Sequence, residues 1–539
     1  MFSILSIFWF FREAKYILFW VYLWQLKEYH IPRLLDHFRT HKGKQIIFNP
    51  LLYIKIILFL IILISEDVFS FIFLALLLVY IAESALFLKA IFSKTVKRPV
   101  RTFKTGLLLA VSFVVAGFFI TWTSFNFTGS KQLLWFLVFD IFTPLIVTAV
   151  VLAFQPIFVF ARNNILRRAE EKMKTFKNLT VIGITGSYGK TSTKEFLATI
   201  LSSKFNVAST KEHQNSEMGI ANCILNDLSE SHQIFIVEMG AYKKGGIKLL
   251  CDIVKPKIGL VAGVNEQHLA LFGSLENLLS AEGGEELAEA LPKNGMLVVN
   301  GDNKYCLDLL RKSSNLPANQ EKKYVISNKS IEADIWTEDI SIEKNSVSFL
   351  AVNRNKEMGH FKVNVLGKQN VQNLLGAILV ARELGMSVEE IAEACKKIKQ
   401  DLAGMVLRRG RNGLDIIDSS YSANPDGVFA DLEYLKIFPQ KKAIIMPCLI
   451  ELGPNSAEIH QKIGKKIAEI CNLAVITTKD KFEDLKKGAM DEGMSHSNIL
   501  FCENPDEIST IVSLFCKSGD AILLEGRVPG RVIKLLTDV

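Results

Sequence analysis

VIGITGSYGKTSTKEFLATIL, residues 181–201, sets a glycine-rich turn between a β-branched strand and a helix. Val181 to Ile184 read as a buried strand, and Gly186 and Gly189 let backbone amides approach an anion. The helix opening at Lys190–Thr191 turns its positive end to the same point. Thr185, Gly186, Ser187, Tyr188, Gly189, Lys190, Thr191 and Ser192 are therefore the candidate cradle for the phosphates of ATP. Charge divides the labour: Lys190 meets the β/γ-phosphates and the Thr191 hydroxyl holds Mg²⁺. The general phosphate-loop pattern asks for glycine at 184, where this chain has Ile184. The form G-x-T-G-x-x-G-K-T is narrower than that pattern.

Upstream of the loop the composition changes. The 539 residues are 49% hydrophobic, with a mean hydropathy of +0.25, too apolar for an ordinary soluble enzyme. Apolar runs near 51–65, 69–92, 106–124 and 132–160 approach the length a helix needs to cross a bilayer. A fifth, 4–24, is interrupted by Arg12, Glu13 and Lys15, so four or five spans are expected. These charges, and the further spans, argue against a cleavable signal peptide. Lys and Arg collect in 25–50, in 93–105 and after 161, which places those segments in the cytoplasm; the turns at Glu66–Asp67 and 125–131 have little positive charge. Residues 1–174 hold 20 Lys and Arg against 9 Asp and Glu, and residues 175–539 hold 43 against 46. The net +8 thus belongs to the apolar part, and no basic patch speaks for nucleic acid. All eight cysteines lie between Cys223 and Cys516 without a C-x-x-C pair, which suits a reducing compartment and gives no zinc signature.

Downstream, strands at 180–185, 205–209, 233–238, 257–263 and 295–300 alternate with helices at 191–203, 219–228, 246–253 and 275–291. This is the pattern of a mostly parallel sheet covered on both faces. Segment 320–366 reads as a small antiparallel insertion, followed by helices at 371–384 and 387–398. After the basic stretch 404–413 comes a Rossmann-like lobe, with strands at 414–418, 442–446, 473–477 and 520–524 and helices at 425–436 and 456–470. Three domains follow: a helical membrane region (1–174), an ATP-binding α/β domain (175–402) and a C-terminal α/β domain (403–539).

In such sheets chemistry gathers just after strands. Glu238 ends the strand IFIVEM, where a carboxylate suits Mg²⁺ or caps a helix. His268 follows IGLVAGV, and Glu282 begins a helical segment whose positive end it also complements. Asn215, Ser216 and Glu217 contact substrate or cap the next helix. Asn300 ends a strand and reads a base or forms a turn; Asn370 and Asn373 lie one helical turn apart. Asp418, Tyr421 and Asn424 follow the first strand of the last lobe. None of these is specific alone.

Their order is specific. The runs N-S-E-M-G, V-E-M-G, V-N-x-x-H-L, F-G-S-L-E, N-G-D-N, G-K-Q-N-V-Q-N, D-S-S-Y-S-A-N-P-D, I-E-L-G and L-L-E-G-R, after the phosphate loop, resemble the Mur ligases. The branch most similar is MurF, which joins D-alanyl-D-alanine to the UDP-linked muramoyl tripeptide of peptidoglycan. The resemblance covers about 175–539 and implies a P-loop central domain, a Rossmann-like C-terminal domain, and ATP and Mg²⁺ as cofactors. It implies that a carboxylate is activated as an acyl phosphate and attacked by an amine. Lys190 and Thr191 then serve the phosphates and one Mg²⁺, Glu238 the first metal and His268 the second. Asn300, Asn370 and Asn373 lie around the adenosine, Asn215 and Ser216 near substrate, and Asp418, Tyr421 and Asn424 complete the site from a mobile last lobe. The implied partners are a UDP-linked or lipid-linked cell-wall peptide, an amino acid or dipeptide amine, and membrane lipid; the implied place is the cell membrane, with the catalytic domains cytoplasmic.

The chain also departs from the family pattern. Glu282 aligns where many relatives carry a carbamylated lysine, and it supplies the same charge without CO₂. Gln369 replaces His, Ser419 and Ser422 replace Asp and Asn, Ala403–Gly404 replaces a Gly-Arg pair, with Arg408 or Arg409 a substitute arginine, and Glu525 replaces a frequent Lys. The membrane region stands where the UDP-binding domain is usual. Competing readings are a poly-γ-glutamate synthetase-like ligase, or an ATP-driven transporter or switch, for which Glu83 and Asp140 are the deep ionisable residues expected of a path.

Overall fold

A computed structural model describes residues 2–64, 69–211, 214–313, 322–327, 333–421 and 423–537. The turn at Glu66–Asp67 and the Ser422 replacement lie outside the described residues. The chain forms two compact units, residues 1–163 and 164–539, and the boundary falls inside the helix Gly129–Met173.

The first unit is helical. His41–Ile64, Phe69–Phe92, Phe103–Asn126 and Gly129–Met173 are long and apolar enough to cross a membrane. The interrupted first run also forms one helix, Phe2–Leu26, whose Trp9 and Trp24 are fully buried. The Trp9 indole donates to the carbonyl of Phe136 at 3.2 Å, and the Trp24 indole to Thr148 Oγ1 at 3.1 Å.

The second unit is built on two sheets. Among the described residues, nine strands form the first: β1 (Thr180–Thr185), β2 (Val207–Ser209), β3 (Ile234–Glu238), β4 (Ile258–Val261), β5 (Met296–Asn300), β6 (Lys322–Ser327), β7 (Ile335–Ile342), β8 (Val347–Asn353) and β9 (Met358–Val363). Their order is β2-β3-β1-β4-β5-β6-β7-β8-β9. Pairing is parallel through β6–β7 and antiparallel from β7 to β9. The expected small antiparallel insertion is present as β7–β9, and it continues the main sheet through the parallel pairing of β6 with β7. The reason is burial, since Val347, Phe349, Phe361 and Val363 share a core with Ile182 and Ile184 of β1. Central strands buried on both faces read as continuous apolar runs, as in Ile234–Val237. The helix expected over 275–291 is two, Leu275–Ala281 and Glu285–Ala290. Gly284 breaks it at φ +90°, a left-handed conformation that glycine adopts without cost.

The second sheet holds β10 (Val406–Arg409), β11 (Asp415–Ser419), β12 (Lys442–Met446), β13 (Leu473–Ile476), β14 (Ile499–Phe501) and β15 (Ala521–Glu525) in the order β10-β11-β15-β12-β13-β14. Strand β10 lies in the stretch read as a basic connection and pairs antiparallel with β11, opposing Arg408 to Ile416. Helices Phe482–Asp491, Pro505–Phe515 and Gly530–Leu536, with β14, complete a lobe larger than the pattern suggested. Each cysteine is free and buried.

Candidate active site

The site is assembled at the carboxyl ends of β1, β3 and β4. The turn after Thr185 requires glycine at two points. Gly186 has φ +139°, and a Cβ there would lie 2.8 Å from the carbonyl oxygen of Gly263; Gly189 has φ +78°, and a Cβ would lie 2.6 Å from Asn373 Oδ1. Gly189 caps the helix Lys190–Leu201. The amides of Ser187 and Tyr188 donate to the Gly263 carbonyl at 2.7 and 3.3 Å, which ties the loop to the chain after β4. Lys190 Nζ folds over the loop, donating to the carbonyls of Gly186 and Ser187.

Two polar groups flank the loop. In the first, Thr191 Oγ1 and Asn215 Nδ2 each donate to Glu238 Oε1 at 3.1 Å. Lys194, fully buried on the same helix, lies 3.7 Å from Glu238 Oε2 and donates to the carbonyl of Thr210 at 2.9 Å. This buried cation beside the carboxylate was not anticipated from sequence.

In the second, Ser187 Oγ donates to Glu282 Oε2 at 2.9 Å, and His268 Nδ1 lies 2.9 Å from Glu282 Oε1. Burial pushes the Glu282 carboxyl up, but the charge and hydrogen bond of His268, with Lys190 and Ser187, outweigh it and hold the group below the usual carboxylate range. The break at Gly284 explains the geometry. It leaves Glu282 at the end of one helix, facing the loop. Glu286 instead accepts from the amides of Gly245 and Lys248 at 2.6 and 2.8 Å, anchoring the start of another helix.

Other residues named from sequence are engaged within the protein. Asn300 Nδ2 donates to the Ala262 carbonyl at 2.9 Å, while its Oδ1 accepts from Gln372 and the Asp302 amide. Asn370 Nδ2 donates to the Leu366 carbonyl and its Oδ1 accepts from Asn373, which reaches the loop at Gly189. Ser216 caps the helix Glu217–Asn226, as its alternative reading allowed, and Asn424 caps Pro425–Leu435, a role not read from the sequence. Thr185 is buried at the end of β1, Ser192 lies in the first turn of the loop's helix, and Tyr421 is exposed. Tyr188 lies against Gly263, and its hydroxyl accepts from Asn303 at 3.3 Å; burial pushes that phenol up.

The last lobe docks beside this edge. Asn265 Nδ2 donates to Asn424 Oδ1 at 3.2 Å and Asp426 Oδ2 at 2.8 Å, Gln267 Nε2 donates to the Ala423 carbonyl at 3.0 Å, and Asn455 Nδ2 donates to Glu266 Oε2 at 2.8 Å. Asp418 accepts from Ser420 Oγ at 2.6 Å and pairs with Arg408 Nε at 2.9 Å, so of the two arginines offered from sequence it is Arg408 that meets it. Three of the departing positions meet at one buried carboxylate: Gln369 Nε2 donates to Asp431 Oδ1 at 2.8 Å, Ser419 Oγ donates to Asp431 Oδ2 at 2.5 Å, and Glu525 lies beside Asp431.

Among the described residues no group of three or more His, Cys, Asp or Glu side chains converges as a metal cage. A hydroxyl, two carboxylates and one imidazole, in two separate groups, remain. Mg²⁺ takes one or two carboxylates and completes its shell with phosphates and water, so this donor set fits it.

Comparison with known proteins extends the geometry. The family model for the Mur ligase middle domain matches residues 184–381, and that for the Mur ligase, glutamate ligase domain matches residues 405–528. The UDP-N-acetylmuramoyl-tripeptide--D-alanyl-D-alanine ligase of Mycobacterium tuberculosis (strain ATCC 25618 / H37Rv) is 30% identical over 58% of this chain and 62% of its own length. That of Bacillus subtilis (strain 168) is 28% identical over 53% and 60%. The chain thus spans about three fifths of the length of these curated relatives. The crystal structure of MurF from Thermotoga maritima in complex with ADP superposes with a TM-score of 0.58 at 26% identity, covering 69% of this chain and 83% of that one. A MurF from Acinetobacter baumannii shares the fold, with a TM-score of 0.61 at 21% identity over 69% and 80%. Both family domains, in order and around the same loop, show that the chain belongs to the Mur ligase family.

Proposed function

We propose that the chain is an ATP-dependent amide ligase of MurF type, working on a cell-wall peptide precursor from the cytoplasmic face of the cell membrane. The observation that carries this reading is the placement of two acidic groups, Thr191–Glu238 and Ser187–Glu282–His268, on either side of one phosphate loop. A kinase-like phosphoryl transfer needs positioning and charge neutralisation above all. Lys190 and the amino end of its helix supply positive charge at the phosphates. Mg²⁺ would neutralise the transferring phosphoryl group, with Thr191 and Glu238 at one position and His268 with Glu282 at the other.

A substrate carboxylate oxygen attacks the γ-phosphorus, ADP leaves, and an acyl phosphate forms. The amine nitrogen then attacks the acyl carbon, loses a proton, and expels phosphate as the C–O bond breaks. Asn265 and Gln267 hold the last lobe against this edge, which keeps water from the acyl phosphate. Arg408, held at Asp418, is the cation of that lobe that we assign to the phosphates.

The carboxylate substrate we favour is lipid-linked. Apolar helices occupy the part of the chain where a nucleotide-sugar domain is usual in the family, and tethering enzyme and substrate to one membrane raises their effective concentration. The test is phosphate release by the full chain in lipid nanodiscs, with UDP-linked or undecaprenyl-linked peptide and with D-alanyl-D-alanine or single amino acids. Amine-dependent release supports the ligase, and release indifferent to any amine refutes it. Exclusive use of the soluble nucleotide overturns the lipid-linked substrate alone.

A further inference from the structure

Among the described residues, the first unit buries five ionisable side chains together. Arg12 and Glu13 come from the helix Phe2–Leu26, Lys55 from Pro50–Ile64, Glu83 from Phe69–Phe92 and Asp140 from Gly129–Met173. Arg12 Nη1 meets Glu13 Oε1 at 2.7 Å, Arg12 Nη2 meets Asp140, and Arg12 Nε lies 3.8 Å from Glu83 Oε2. Lys55 Nζ meets Glu83 Oε2 at 2.6 Å and Asp140 Oδ2 at 2.9 Å. Two aromatic hydroxyl-bearing rings face the cations: Arg12 lies over Tyr16, 3.6 Å from the ring centre, and Lys55 over Tyr80 at 5.2 Å.

Two cations face three carboxyls. With every acid ionised, the cluster carries one uncompensated negative charge, and a buried charge without a partner is strongly disfavoured. In a bundle of apolar helices that cost selects a neutral acid. The hydrogen bonds of Thr143 say which one. Its single hydroxyl hydrogen faces two oxygens, Glu13 Oε2 at 2.6 Å and the Phe139 carbonyl at 2.8 Å. An ionised Glu13 and a carbonyl are both acceptors, and one hydrogen cannot serve two of them in full. A proton on Glu13 Oε2 resolves this: Glu13 donates to Thr143 Oγ1, and Thr143 donates to Phe139. Asp140, which meets both cations, and Glu83, at 2.6 Å from Lys55, are the two ionised partners.

We propose that this bundle contains a proton-binding site, with the proton on Glu13 Oε2 and shared with Thr143, and that the seating of the first helix depends on it. Loss of the proton leaves a net negative charge and removes the donor that joins the first helix to Gly129–Met173. This gives the membrane region a proton-responsive part beyond anchoring.

The test is infrared spectroscopy of the full chain in lipid nanodiscs, with thermal unfolding followed by circular dichroism. At neutral pH the wild type shows the carbonyl stretch of a neutral carboxyl; Glu13→Gln abolishes it and Thr143→Ala shifts it to higher frequency. The unfolding midpoint of the wild type falls at alkaline pH, and that of Glu13→Gln, whose amide still donates to Thr143, falls less. If Glu13→Gln does not assemble, the Thr143→Ala shift decides. Absence of the band from the wild type, a band unmoved by Thr143→Ala, or an equal alkaline fall in assembled Glu13→Gln overturns the proposal.

Discussion

Glu282→Gln keeps the shape of a buried side chain and removes its charge. Glu282 accepts from Ser187 at 2.9 Å and sits 2.9 Å from His268 Nδ1. The amide retains one accepting oxygen, so one of these two donors meets an NH₂ group instead. A hydrogen bond to a charged group contributes roughly 1.5–3 kcal/mol, and losing one where charge develops slows turnover by about 10- to 150-fold. Mg²⁺ half-saturation should rise in parallel, because the neutral amide no longer draws a cation to the His268 side of the loop. Folding should not suffer, since a neutral group is cheaper to bury than a carboxylate. The assay is amine-dependent phosphate release across a Mg²⁺ titration, with thermal unfolding as the check on integrity. Turnover and Mg²⁺ half-saturation equal to the wild type would refute the role given to Glu282.

Gly189→Ala forces a left-handed residue, costing about 1–2 kcal/mol, and drives a methyl toward Asn373 Oδ1; KM for ATP should rise about tenfold, and an unchanged KM contradicts the loop's role. Asn265→Ala removes two hydrogen bonds to the last lobe, so amine-independent phosphate release should grow relative to amide formation, measured by product chromatography. The Asp431–Glu525 pair predicts a pH effect of definite sign. Burial pushes Asp431 up to about 6 and, with the charge of Asp431, Glu525 well above its ordinary range. Ser419 from β11 and Gln369 from the helix Gln369–Glu383 face the pair without titrating. Folded values raised above unfolded ones mean stability present at low pH and lost as pH rises through about 6. Denaturant titrations from pH 5 to 8 should show that loss, reduced in Glu525→Gln.

What the sequence made legible was periodic or tied to one motif. Strand β1 and the helix after it were placed to within two residues because β-branched residues, two glycines and Lys190 each mark one local requirement. Strands β7 to β9 were recognised as antiparallel, but not as part of the main sheet. Alternation reports one buried face and says nothing about which sheet edge receives it. Lys194 and Asp431 escaped notice because helical charges usually face solvent, and only tertiary packing reveals a buried one. Arg12 and Glu13 read as interruptions of an apolar run. Their partners Lys55, Glu83 and Asp140 lie 43 to 128 positions from Arg12, beyond the reach of a local pattern. Conversely Glu282, chosen by alignment to a family motif, does face the phosphate loop.

Five residues after β4 unite two duties. Asn265 and Gln267 grip the last lobe, and His268, next in sequence, meets Glu282. This segment therefore belongs to the last lobe's inheritance as much as to its own domain. A chimaera that took its C-terminal lobe from another ligase, to change the amine accepted, would need the Val264–His268 stretch transplanted with it. Without that graft the foreign lobe would arrive at a surface shaped for Ala423 and Asn424, and the imidazole would lose the strand of contacts that sets its place.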